Sequence, residues 1–152
     1  MNREKILEVK LDNGEWISLP TNEMNLKVVD YRCELLIDDC MVFDTDIELL
    51  NIFVLLAKGL NDKDAEKLNV VLSSGEYASS MSEVIDVIKN IELFEVVYGI
   101  NNYYELGQYC GNGNNENYEE LGIRIAEYEN GIFLDNIYLS CANPNYYRES
   151  LR

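Results

Sequence analysis

Hydrophobic residues change their spacing twice along this chain, and those two switches constrain the fold more than any single motif. Up to about residue 43 the apolar positions follow the two-residue alternation of strands; from residue 44 they recur about every 3.6 residues, as on helices, and near residue 93 strand-like runs return. The pattern predicts an α+β chain: a β-rich unit over 1–43 with a small antiparallel sheet, a helical middle over 44–92, an α+β unit over 93–140 with short helices and a β-hairpin, and a tail over 141–152. The units are expected end to end, as an elongated body.

Within the first unit, Ile6, Val9 and Leu11 form one arm of a hairpin and Trp16, Ile17 and Leu19 the other, around Asp12-Asn13-Gly14. Asn-Gly suits the positive φ angles of tight turns. Pro20 ends the second strand because it has no N–H to donate. Tyr31 to Ile37 reads as a third strand, while Thr21 to Val29 is ambiguous, a short helix being one reading.

Polar residues mark the helix starts. Thr45-x-x-Glu48 reads as a capping box before Ile47, Leu50, Phe53, Val54 and Ala57, with Gly59 as the stop. Asn61 is the expected N-cap of a second helix with Asp62 and Asp64 in its first turn, burying Ala65, Leu68, Val71 and Leu72 and ending at Gly75. Ser80-x-x-Glu83 caps a third that buries Val84, Ile85, Val87 and Ile88.

Leu93 to Tyr98 is a strand candidate, and a short internal repeat follows. Asn102-Tyr103-Tyr104-Glu105-Leu106-Gly107 returns as Asn117-Tyr118-Glu119-Glu120-Leu121-Gly122, each copy an N-cap Asn with Glu three residues on. Gly111 to Asn115 between them reads as a flexible turn. The second copy is expected to stop near Gly131, before a terminal hairpin of Ile132-Phe133-Leu134 and Ile137-Tyr138-Leu139 around Asp135-Asn136.

Twenty-eight carboxylates against twelve Lys and Arg give a formal charge of −16. Residues 1–40, 41–92 and 93–152 are each net negative, at −4, −6 and −6, so the acidity belongs to the whole body. With 47% apolar residues the chain has a core to bury and is no disordered acidic tail. Such a surface repels nucleic acid and anionic membrane and steers toward basic partners; the plainer reading is acidity for solubility. No apolar leader follows Met1 and no apolar run is long enough to span a bilayer, so a soluble, unexported, cytoplasmic protein is expected. Cys33, Cys40, Cys110 and Cys141 form no C-x-x-C pair and are expected to be reduced.

The chain has no histidine, which removes the usual general base, the catalytic triads and nearly all zinc sites. It also lacks a nucleophile elbow, a P-loop and a dinucleotide fingerprint. Asp44-x-Asp46-x-Glu48 and Asp62-x-Asp64-x-Glu66 fail as EF-hand loops: their sixth and twelfth positions hold Leu49 and Leu55, or Lys67 and Ser73, in place of Gly and Glu. No catalytic residue, metal or cofactor is therefore expected. Tyr103, Tyr118, Tyr128 and Tyr138 are assigned mostly to core or boundary packing.

Asn102-x-x-Glu105-Leu106-Gly107-Gln108-Tyr109, then Tyr118-x-x-Leu121-Gly122-x-x-x-Ala126 and Gly131-Ile132-Phe133 resemble the ArdA-type antirestriction proteins. Trp16-Ile17-Ser18-Leu19-Pro20 and Leu50-Asn51-x-Phe53-x-x-x-Ala57-x-x-Leu60 look similar too, so the likeness runs from about residue 15 to 140. The chain departs from that pattern between Cys110 and Glu116, where family members carry a longer acidic helical segment. The resemblance implies a DNA mimic carried on plasmids or conjugative transposons: three small α+β units, usually a dimer, whose carboxylates occupy the DNA site of Type I restriction–modification enzymes. The candidate phosphate-mimicking residues, placed opposite the apolar faces of their helices, are Asp62, Asp64, Glu66, Glu83, Asp86, Glu119, Glu120 and Glu127. The alternatives from other classes are an acidic regulatory protein for another basic partner and a carboxylate-dependent hydrolase.

Overall fold

The computed structural model describes residues 6–36, 44–111, 113 and 117–141. It is α+β, with two three-stranded antiparallel sheets. The chain divides into two compact units, Met1–Ile91 and Glu92–Arg152.

In the first unit β1 (Leu7–Leu11) lies between β2 (Trp16–Ser18) and β3 (Val28–Cys33). Leu7, Val9 and Leu11 are buried while Glu8 and Lys10 between them are not, the alternation expected of a half-covered sheet. On the outer face Glu8 stands opposite Arg32 at 3.7 Å, and the Arg32 guanidinium lies 3.8 Å from the centre of the Trp16 ring. The β1–β2 turn closes through Leu11 N–H to Glu15 O and Gly14 N–H to Leu11 O, and only Gly14 takes a positive φ (88°); Asn13 does not.

In this region one ambiguity is resolved and one expectation corrected. Thr21 to Val29 holds no helix, because Met24 is 54% exposed and Leu26 only half-buried, leaving no apolar stripe to pay for helix nucleation. The third strand begins at Val28 and ends at Cys33, since its register is fixed by β1, from Leu11 opposite Val28 to Leu7 opposite Cys33. Ile37 lies outside the described residues, as does Cys40.

Helices α1 (Ile47–Ala57), α2 (Asp62–Ser73) and α3 (Met81–Lys89) complete the unit. Each buries the apolar residues its spacing predicted, Phe53 and Leu68 among them without exposure. Two amides tie them to the chain segments leaving the strands. Asn51 of α1 accepts the Thr21 N–H at 3.0 Å and donates to the Thr21 carbonyl at 2.7 Å; Asn69 of α2 donates to the Leu35 carbonyl at 3.0 Å. Asn61 and Ser80 cap α2 and α3 as expected, but α1 is capped by Asp46, not Thr45. The Asp46 carboxylate accepts from the N–H of both Glu48 and Leu49, which puts Glu48 one position too early to reach back as a capping box. A 3-10 turn, Ile91–Leu93, leads into the second unit.

There, β4 (Phe94–Tyr98) pairs with β6 (Ile137–Cys141), which pairs with β5 (Ile132–Leu134). The expected two-residue turn Asp135-Asn136 joins β5 to β6, with Asn136 at φ 56°. Asn101 pins this turn: its side-chain Oδ1 accepts the Asn136 N–H at 2.9 Å. Cys141, assigned to the tail, belongs to β6; residues 142–152 lie outside the described set, as do 112, 114 and 115 of the predicted turn between the repeats, and 116 after it.

The two copies of the repeat become α4 (Tyr103–Cys110) and α5 (Tyr118–Glu129), capped by Asn102 and Asn117. Their packing is reciprocal. A Cβ at Gly107 would overlap the Tyr118 carbonyl, and a Cβ at Gly122 would overlap the Tyr103 carbonyl, so each glycine sits on the first residue of the other helix. The helices thus run in opposite senses about a local pseudo-twofold axis, at a separation only glycine permits. Leu106, Cys110, Leu121, Ile125 and Ala126 from the pair close over Ile100 and Tyr138 as the core of the unit. Helix α5 ends at Glu129 with Asn130 as its cap at φ 51°, next to the expected stop near Gly131, whose missing Cβ leaves room for the Tyr138 ring.

Gly107→Ala and Gly122→Ala should each destabilise the protein by about 2 kcal/mol or more, because the overlap with a backbone carbonyl outweighs the roughly 1 kcal/mol that Ala gains over Gly in a helix. Gly59→Ala, where the nearest atom is 3.5 Å away, should be near neutral. Urea denaturation of the three variants checks this, and equal midpoints would refute the close packing.

Candidate functional site

Of the eight candidate carboxylates, Asp62, Glu66, Glu83, Asp86, Glu119, Glu120 and Glu127 are exposed and Asp64 is half-buried. Asp62, Asp64 and Glu66 share the first turns of α2, Glu83 and Asp86 lie on α3, and Glu119, Glu120 and Glu127 on α5. Leu68, Val84, Ile85, Leu121 and Ile125 are buried on the opposite faces. Three candidates belong to one helix start, two to the next helix, and three to the second unit.

Glu83 does more than display charge. Its carboxylate accepts from the Ser79 N–H (3.3 Å), the Ser79 hydroxyl (2.9 Å) and the Ser80 hydroxyl (3.2 Å), while Ser80 Oγ accepts the Glu83 N–H (3.2 Å). This is a capping box extended by one serine. The side-chain and backbone hydrogen bonds from Ser79, then the one from Ser80, hold the carboxyl below its ordinary value of 4.5. Asp44 and Asp46, two of the three acids in the first rejected calcium cluster, are likewise occupied with backbone: Asp44 accepts the Asp46 N–H at 2.7 Å.

In the second unit the charge is strongly one-sided. Among its described residues, Glu92, Glu95, Glu105, Glu119, Glu120, Glu127, Glu129 and Asp135 face a single cation, Arg124. Glu129 is the exception to surface placement, being 4% exposed at the end of α5.

The tyrosines depart from the expected packing. Tyr138 is fully buried and Tyr118 half-buried, but Tyr103 and Tyr128 are 42% and 56% exposed, and Tyr98, Tyr104 and Tyr109 are exposed as well. Tyr103 meets Phe133 edge-on at 5.2 Å, and Tyr104 meets Tyr118 edge-on at 5.8 Å. Asn102, Tyr103, Tyr104 and Glu119 line a cleft of about 270 Å³ between the starts of α4 and α5. Helical period did not announce it: Tyr103 stands three and four residues before the buried Leu106 and Gly107, the side of α4 that spacing assigns to the core.

A second groove, about 310 Å³, runs beside β2 and the segment after it, lined among others by Leu11, Glu15, Ile17, Pro20 and Leu26. Cys33, Cys110 and Cys141 stand as thiols, Cys110 inside the core, and burial pushes the Cys141 thiol above its ordinary range. Among the described residues no helix is long and apolar enough to cross a membrane. No protein-family model, curated protein or solved structure matches the chain.

Because the folded pKa of Glu83 is depressed, its contribution to stability is present at neutral pH and disappears as the pH falls from 4.5 through the folded value. Glu83→Gln should therefore melt below the parent at pH 7, and the two should converge in acid. Thermal unfolding across pH 2 to 7, as an order-of-magnitude window around the carboxylate range, reads this directly; a difference that stays constant with pH would show that the carboxylate charge is not involved.

Proposed function

We propose that the protein is an antirestriction DNA mimic that occupies the DNA-binding site of a Type I restriction–modification enzyme, acting by occupation and not by catalysis. The observation that carries the reading is the exposure of acid in both units with few cations beside it, most sharply in the described part of the second unit, where Glu92, Glu119, Glu120, Glu127 and Asp135 are exposed against one cation, Arg124. The order and spacing of the ArdA-like segments support the same reading.

Magnitudes set how such mimicry would work. A duplex carries about one charge per 1.7 Å of axis. Helix α5, with 12 residues, is about 18 Å long at 1.5 Å per residue and so lies alongside roughly ten phosphates. It exposes three of the candidate carboxylates, Glu119, Glu120 and Glu127. One helix falls well short of the phosphate density of DNA, so the inhibitory charge has to be pooled from α2, α3 and α5.

Pooling predicts weak single effects and a strong collective one. Asp62→Asn, Glu66→Gln, Asp86→Asn, Glu120→Gln and Glu127→Gln should each weaken binding to the enzyme by roughly 1 kcal/mol or less, because exposed ion pairs contribute little individually. The five together should abolish inhibition of DNA cleavage by a purified Type I complex while circular dichroism and melting show a folded protein. If one of these substitutions alone removes all inhibition with binding intact, the protein acts catalytically and the proposal fails.

A further inference from the structure

The geometry points to the cleft between the starts of α4 and α5 as a recognition pocket for one arginine side chain of a protein partner. The inference deepens the reading above and rests on it only for the partner being a basic protein. Tyr104 and Glu119 occupy equivalent positions in the two copies of the repeat, the second residue after the N-cap Asn. The reciprocal glycine packing brings the two helix starts within reach of one cavity, so the single difference between the copies places an aromatic ring and a carboxylate on the same 270 Å³ cleft, with Tyr103 as a second ring.

Aromatic faces attract cations through the ring quadrupole, and a carboxylate beside them supplies the counter-charge. Among the described residues no cation answers Glu119. No ion pair among the described residues engages it, and the one cation in the described part of the unit, Arg124, lies five residues further along α5, outside the three- and four-residue spacings at which helical side chains meet. Nor is the α4 start left open for an anion: Asn102 Oδ1 accepts the Glu105 N–H at 2.9 Å, and the Glu105 carboxylate accepts the Asn101 N–H at 3.1 Å, bringing negative charge to that helix end. Arginine fits better than lysine because its planar, weakly hydrated guanidinium stacks on a ring while its N–H fork pairs with a carboxylate, whereas an ammonium is a strongly hydrated point charge.

The test is a titration of the full-length protein, followed by amide and tyrosine-ring NMR shifts, with Nα-acetyl-arginine amide, the lysine analogue, and the neutral citrulline analogue. Arginine should shift the resonances of Tyr103, Tyr104 and Glu119 in a saturable manner, binding about threefold or more tighter than lysine, and citrulline should produce no saturable shift. Tyr104→Ala and Glu119→Gln should each weaken arginine binding about fivefold or more, in line with cation–π and charged hydrogen-bond energies, while Tyr104→Phe, which keeps the ring, and Glu76→Gln, an exposed acid in the other unit, should retain it. Unchanged amide spectra away from the cleft establish that the variants fold. Shifts spread evenly over the acidic surface, equal binding of citrulline, or binding that survives both Tyr104→Ala and Glu119→Gln would overturn the pocket. These probes involve no restriction enzyme, so loss of the pocket leaves the occupation reading standing, and failure of enzyme inhibition leaves the pocket standing.

Discussion

Sixteen surplus negative charges on 152 residues repel one another, and the fold meets that repulsion by setting carboxylates where the backbone itself is positive. Each of the five described α-helices has acid in its first turn: Glu48, Asp62 with Asp64, Glu83, Glu105, and Glu119 with Glu120. A carboxylate there gains about 0.3–1 kcal/mol from the helix dipole. The caps Asp46, Asn61, Ser80, Asn102 and Asn117 stand just ahead of these acids and take up N–H groups the helices leave without partners. The same placement that makes the acids tolerable to the fold keeps most of them at the surface, where a partner can meet them.

How far the sequence could be read depended on whether an element was specified locally. The caps at Asn61, Ser80, Asn102 and Asn117 and the turn at Asp135-Asn136 were legible because each is decided by a few neighbouring residues. The third strand was misplaced because β1, some twenty residues earlier, sets where β3 begins, and the sequence of β3 carries no mark of that register. The α1 cap slipped by one because Thr45 and Asp46 are both good caps, and only the geometry, with Asp46 accepting two N–H groups, decides between them.

The repeat shows the same division more sharply. Asn102 and Asn117 announced two helix starts, but nothing in either copy announced that Gly107 would rest on Tyr118 and Gly122 on Tyr103. That contact is between copies, and it is what gathers Tyr103, Tyr104 and Glu119 around one cleft. The eight carboxylates were legible as surface positions from helical period alone, with Asp64 half-buried and Glu83 drawn into its cap. Their spacing relative to one another was not, since period fixes a side of one helix and says nothing of the next.

A DNA mimic's carboxylates must occupy a site that otherwise holds DNA phosphates. The most direct measurement is competition: the labelled protein bound to a Type I restriction–modification complex, displaced by unlabelled duplex carrying the recognition sequence, at several salt concentrations. The account predicts mutually exclusive binding, and an affinity for the enzyme that falls at least about tenfold between about 50 and 200 mM salt, as binding built on several phosphate-like contacts must. A ternary complex of enzyme, duplex and protein, or an affinity indifferent to salt, would contradict it.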